Sequence, residues 1–220
     1  MQRITVQSAD GFILCGRSDA PEDPKAAVVI VHGLCEHYGR YDYLVEKLNA
    51  AGYAVVRFDH RGHGRSMGKK TWYDDRTQIV SDTDLFVERA RQSFPDLPLF
   101  MIGHSMGGFG AASYGTAYPG KLAGYVLSGA WTRDHKGLAK ADEALSDSTY
   151  VPNELGDGVC SDPAVGEAYL ADPLVAKEFS VALLRAVHEG HDWLRANAAA
   201  FADPVILLHG GDDGLVSPQD

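Results

Sequence analysis

No stretch of this chain approaches the roughly 18 to 20 consecutive apolar residues that a transmembrane helix needs, so no integral membrane segment is expected. The opening Met1-Gln2-Arg3-Ile4-Thr5-Val6 lacks both the basic and the apolar region of a secretory signal, which makes the cytoplasm the expected compartment. Cysteine is scarce. Cys15, Cys35 and Cys160 are odd in number and far apart, which argues against a disulfide framework and against a cysteine-based zinc site. Basic charge is short as well: 20 Lys and Arg stand against 30 Asp and Glu, a formal charge of −10. With no Lys/Arg cluster in the sequence, a nucleic-acid partner has no electrostatic footprint. No internal repeat or low-complexity tract interrupts the 220 residues, whose 45% hydrophobic and 23% charged content suits one substantial soluble domain.

What is present is an alternation. Arg3 to Gln7 and Phe12 to Gly16 read as a hairpin around Asp10-Gly11. Ala26 to Val31 is an uninterrupted β-branched run of the kind buried on both faces of a parallel sheet. Further strands are expected at Tyr53 to Phe58, Leu97 to Ile102, Leu122 to Leu127 and Pro204 to Leu208. Between them, helical spacing recurs at Tyr41, Leu44, Val45 and Leu48, from Ile79 to Phe94, and from Met106 to Tyr118. Strands alternating with helices predict an α/β fold, a doubly wound and mostly parallel sheet covered on both faces. The rhythm breaks from Trp131 to about Ala200, where 12 acids and 6 bases carry −6 of the net charge. The expected organisation is a core over 1–130, a helical lid inserted at 131–200, and a continuation of the core at 201–220. Phe179, Leu183, Ala186 and Val187 are read as one amphipathic helical face in that lid; Phe179, Leu183 and Val187 either line an acyl channel or pack the lid on the body.

Four segments carry chemistry. Gly103-His104-Ser105-Met106-Gly107 has the form Gly-x-Ser-x-Gly between an expected strand and an expected helix. In that context the flanking glycines permit a sharp turn that lifts the Ser105 hydroxyl out of the sheet beside a helix N-terminus. The plain alternative is a structural Gly-rich turn. His32-Gly33-Leu34 follows the earlier buried strand, where the N–H groups of Leu34 and Met106 can form an oxyanion hole; the His32 ring can brace the same turn. Asp59, His60 and His63 resemble a metal site in composition, but Gly62, Gly64 and two arginines in the same loop favour a structural loop near the active site. Asp212 and Asp213 follow the last strand, where a carboxylate serves either as the acid of a Ser-His-acid triad or as a turn cap.

Together these segments resemble the α/β-hydrolase superfamily, and within it the monoacylglycerol lipase and lysophospholipase-like serine hydrolases. The resemblance rests on His32-Gly33-Leu34-Cys35-Glu36-His37-Tyr38-Gly39-Arg40-Tyr41, Asp59-His60-Arg61-Gly62-His63-Gly64-Arg65-Ser66, Gly103-His104-Ser105-Met106-Gly107-Gly108, Asp172-Pro173-Leu174 and Leu208-His209-Gly210-Gly211-Asp212-Asp213. It implies Ser105 as nucleophile, Asp213 as acid, Leu34 and Met106 as oxyanion donors, and Glu36 with Arg40 as a polar pair shaping the substrate site. The implied partner is a lipid ester of the monoacylglycerol type, and no metal or organic cofactor is needed. Cys35 departs from the family's usual Gly and brings a thiol towards the site. The family's catalytic His follows its acid by about one helix and one strand, and none of the nine histidines here has that position. The chain is therefore expected to be a fragment, with the last strand and helix missing, inactive alone and with an exposed apolar edge at Val205 to Leu208 that a second chain or a tail would complete. Another carboxylesterase or lactonase, or a binding protein without the base, remain the alternatives.

Overall fold

The computed structural model describes residues 2–158 and 160–220. Strands β1 (Gln2–Gln7) and β2 (Ile13–Asp19) form the expected antiparallel hairpin, its reversal made by Gly11 at φ 90°. There follow β3 (Ala26–Val31), α1 (Asp42–Ala50), β4 (Tyr53–Phe58), α2 (Thr77–Ser93), β5 (Leu99–His104), α3 (Met106–Ala117) and β6 (Gly124–Ser128). Next come β7 (Tyr150–Pro152), α4 (Pro163–Ala171), β8 (Glu178–Ser180), α5 (Val181–Asn197) and finally β9 (Val205–Leu208). Seven strands make one sheet in the order β1-β2-β4-β3-β5-β6-β9, and every pairing from β4 to β9 is parallel.

The two faces follow from the period-2 geometry of β3. Ala27, Val29 and Val31 join the larger core with Phe86, Phe109 and Leu183, while Val28 and Ile30 join Val45 and Val55 beneath α1. All six β3 residues are buried, and each Val or Ile so removed from water contributes roughly 1.5 to 3 kcal/mol. β3 thus lies at the centre of the sheet, between β4 and β5, with its carboxyl end beside theirs.

One expectation needs correction, and one alternative is decided. Phe179 belongs to β8, not to a helix, because the Ser180 hydroxyl accepts the Leu183 N–H at 3.1 Å and starts α5 after it. Phe179, Leu183 and Val187 are core residues, 6%, 0% and 1% exposed, and none lines the cavity described below. The expected apolar edge is visible: among the described residues β9 pairs only with β6, and Leu207 is 72% exposed. Among the described residues no helix is long and apolar enough to cross a membrane.

Candidate active site

Ser105 lies between β5 and α3 at φ 54°, ψ −120°, a left-handed conformation rare for a residue with a side chain. Two glycines make the turn sterically feasible. A Cβ on Gly103 would stand 2.4 Å from the Gly107 carbonyl oxygen, and one on Gly107 would stand 2.1 Å from that of Val31. The turn therefore presses directly onto β3, and the strain at Ser105 is held by its backbone: its N–H donates to Ser128, and its carbonyl accepts from Gly108, Phe109 and Trp131. Met106 opens α3, so its N–H belongs to the first turn, which has no acceptor within the helix.

Gly33 faces this turn; a Cβ there would lie 3.2 Å from Ser105 Cβ. Both of its polar backbone groups are fixed by side chains. The Gly33 N–H donates to Glu36 Oε1 at 2.6 Å, and the Gly33 carbonyl lies 2.7 Å from His32 Nδ1. In a trans peptide the carbonyl and the following N–H point in opposite directions. With the Gly33 carbonyl turned to the His32 ring, the Leu34 N–H is directed away from it, and it has no acceptor among the described residues.

The ring that sets this orientation is itself set. His60 N–H donates to His32 Nε2 at 3.0 Å, so His32 carries its proton on Nδ1 and donates to Gly33. His60 Nε2 donates to the His32 carbonyl at 2.9 Å, and His60 Nδ1 accepts from the Tyr73 hydroxyl at 2.9 Å. Burial, with the neighbouring histidines, pushes His32 well below the usual imidazole range, His60 down to about 3; burial takes His63 to about 4. All three are neutral at physiological pH. Asp59, His60, Arg61 and His63 thus form a structural loop: Asp59 accepts the N–H groups of Tyr38 and Arg65, both at 2.8 Å, and Arg61 grips Asp82 on α2 at 2.6 and 2.8 Å.

Glu36 is 9% exposed and is shared by the Gly33 N–H, the Tyr41 hydroxyl at 2.7 Å and Arg40 Nε at 3.3 Å. Asp213 projects from the turn after β9; its Oδ1 accepts the N–H groups of Leu215 and Val216 at 2.9 Å, and its Oδ2 lies 3.2 Å from His209 Nε2. Asp212 beside it is exposed. Leu34, Glu36, Arg40, Ser105 and Asp213 line one cavity of about 550 Å³, whose lining also includes Leu155, Val165 and Tyr169. Five of the six residues expected at the site therefore share one cavity, and Met106, 0% exposed, follows Ser105 beneath it.

Cys35 departs from its expectation. At φ 64° it occupies a conformation that suits Gly, but its side chain is buried in the core, burial pushes the thiol up to about 12, and it does not line the cavity. Three contributors escaped the sequence reading. Tyr73 carries no motif. Tyr41 stands within a quoted motif but reads as a helix-face residue. Tyr169, over whose ring Arg40 lies at 5.0 Å, comes from α4.

The family model described as "Serine aminopeptidase, S33" matches residues 22–220. A monoacylglycerol lipase of Mycolicibacterium smegmatis is 38% identical over 202 residues, covering 88% of this chain and 72% of that one. The human monoglyceride lipase is 30% identical over 222 residues, covering 94% and 72%. Among solved structures, the monoacylglycerol lipase of Paleococcus ferrophilus superposes with a TM-score of 0.81 at 30% identity, over 94% of this chain and 80% of that one. A soluble variant of the Saccharomyces cerevisiae monoglyceride lipase shares the fold with a TM-score of 0.86 at 24% identity, over 99% and 79%. The chain belongs to the serine aminopeptidase S33 family of α/β-hydrolases and, within it, resembles the monoglyceride lipases, which are carboxylic ester hydrolases.

Proposed function

We propose that this protein hydrolyses monoacylglycerols or similar single-chain lipid esters through an acyl-enzyme at Ser105. The observation that carries the reading is the conjunction at one cavity of a strained serine and an unpaired, ring-oriented N–H at Leu34. Ser105 Oγ attacks the ester carbonyl as its proton passes to a histidine base. The carbonyl oxygen gains the negative charge and is held by the N–H groups of Leu34 and Met106, a donor pair in which each member is worth about 3 to 4 kcal/mol of barrier. Collapse expels the alcohol, which takes the proton from the histidine, and water then releases the fatty acid and restores Ser105. Asp213 is the acid that orients the base, and Glu36 with Arg40 shapes the cavity wall.

The base is a histidine beyond the nine in this sequence. No described histidine hydrogen-bonds Ser105 Oγ, and most are committed elsewhere: His37 to Asp172, His104 to the Ser128 carbonyl, His135 to Asp220, His191 to the Trp131 carbonyl and His209 to the Val216 carbonyl. Residues 1–130 and 201–220 are read as core and 131–200 as a lid; Leu155, Val165 and Tyr169, which share the cavity with Ser105 and Asp213, fit that reading, whereas Leu183 and Val187 of α5 belong to the core with β3. The cytoplasm is the proposed compartment. The test is hydrolysis of a monoacylglycerol series of rising acyl length by the full protein and by Ser105→Ala. A lipid-ester hydrolase prefers the longer chains and loses turnover in the variant; preference for short soluble esters indicates a general carboxylesterase.

A further inference from the structure

A second cavity, of about 650 Å³, is lined by His37, Tyr38, Gly39 and Asp42 and shares Arg40 with the cavity of Ser105. In a chain of formal charge −10, it gathers four of the twelve arginines: Arg3 from β1, Arg17 from β2, Arg40 from the turn and Arg65 from the loop after β4. Two of these charges are already answered. Arg17 pairs with Asp19 at 3.0 Å, and Arg40 pairs with Glu36 at 3.3 Å. Arg3 and Arg65 have no carboxylate within ion-pair distance among the described residues.

The two carboxylates that line the cavity are engaged. Asp42 is held by the fully buried Arg57, and Asp172 lies 2.8 Å from His37 Nε2 and accepts the Leu174 N–H at 2.8 Å, bonds that fix its position while it keeps its negative charge. Tyr38 forms part of the wall between two guanidinium groups, with Arg57 at 5.5 Å and Arg65 at 6.0 Å from its ring centre. The Arg65 backbone is fixed by its N–H bond to Asp59, which holds the base of that side chain at the cavity rim.

We propose that this cavity binds the phosphate group of a phosphomonoester. Charge and shape point to this ligand. The lining sets four guanidinium groups against two carboxylates, and a phosphomonoester dianion matches that excess more fully than a carboxylate does. Guanidinium forks match phosphate oxygens bidentately, and a third and fourth fork, on Arg17 and Arg40, stand in the same wall. The volume exceeds that of a bare phosphate, leaving room for the ester's organic part. A ligand seated here would touch β1, β2, the 37–42 turn and Ala168 on α4, tying α4 to the body. The phosphate can come from a soluble phosphomonoester or from a phosphatidic acid headgroup.

The experiment is calorimetric titration of the full protein with inorganic phosphate at fixed ionic strength, beside sedimentation with phosphatidylcholine vesicles lacking or containing phosphatidic acid. The wild type is compared with the Arg3→Gln/Arg65→Gln double variant, both positions being exposed, and with Arg133→Gln, an exposed arginine elsewhere. Saturable phosphate binding that weakens at least about 10-fold in the double variant and persists in Arg133→Gln supports the site with a soluble source. Vesicle binding that requires phosphatidic acid and shows the same dependence supports it with a lipid source. Binding to neither, binding that survives the double variant, or equal losses in Arg133→Gln would overturn it.

Discussion

His32 and His60 hold each other twice: the His60 N–H donates to His32 Nε2 at 3.0 Å, and His60 Nε2 donates to the His32 carbonyl at 2.9 Å. This reciprocal pair ties the ends of β3 and β4 together and transmits the Tyr73 hydroxyl bond to the peptide that presents the Leu34 N–H. Replacing His60 by Ala or Tyr73 by Phe should therefore lower kcat with little change in KM, because an oxyanion donor acts mainly in the transition state. Complete loss of one donor costs about 10²- to 10³-fold, so loosening it should cost about 10-fold or more. Steady-state kinetics on a monoacylglycerol measure this; a rise in KM with kcat unchanged contradicts it.

The same cluster predicts acid sensitivity. His60 and His63 titrate at about 3 and about 4 when folded and His32 well below the imidazole range, whereas the unfolded chain takes up these protons near pH 6.5. Between those limits the unfolded state binds more protons, so stability falls as pH drops below about 6.5, by up to ~1.4 kcal/mol per pH unit for each histidine. Burial raises Asp59 and Asp82, which favours proton uptake by the native state and offsets part of the slope at the acid end. Denaturant titrations from pH 7 to 4 should show this decline, flattened in His63→Gln.

Cys35 provides a test of backbone strain. A non-Gly residue at φ 64° costs about 1 to 2 kcal/mol, while burying one thiol returns about 1 kcal/mol. Cys35→Gly should therefore leave the melting temperature nearly unchanged, and Cys35→Val, β-branched in the same conformation, should lower it by several degrees. In the native protein an alkylating reagent should modify the exposed Cys160 well before the buried Cys35.

The free edge of β9 makes a fourth prediction. Ile206 and Leu207 are 58% and 72% exposed on a strand with one paired side. An uncovered apolar edge is a template for association. A polypeptide of these 220 residues should self-associate in light scattering, and Ile206→Lys should shift it towards monomer.

Much of the fold was legible because it depends on local pattern. The Ala26 to Val31 run suited a strand buried on both faces, and Gly103 and Gly107 permitted a sharp turn that the structure shows has no room for a Cβ. The carboxylate choice was legible only through the resemblance; Asp212 and Asp213 both line the cavity, and Asp213 differs in accepting two N–H bonds within its own turn. What stayed hidden depends on long-range closure. Tyr73 meets His60 thirteen residues away through a loop without periodicity, and Tyr169 reaches Arg40 from a helix far along the chain. Phe179 was misread because a spacing of four fits a helix until the Ser180 cap is seen. The arginine cavity was invisible for the same reason: Arg3, Arg17, Arg40 and Arg65 are scattered in sequence and meet only when β1, β2 and the two loops assemble.

The most direct measurement is the intact mass of the full protein after reaction with a fluorophosphonate probe, with Ser105→Ala in parallel. The account predicts one adduct per chain, located on Ser105, and none in the variant, together with loss of monoacylglycerol hydrolysis. An adduct that persists in Ser105→Ala, or hydrolysis that does, would contradict it.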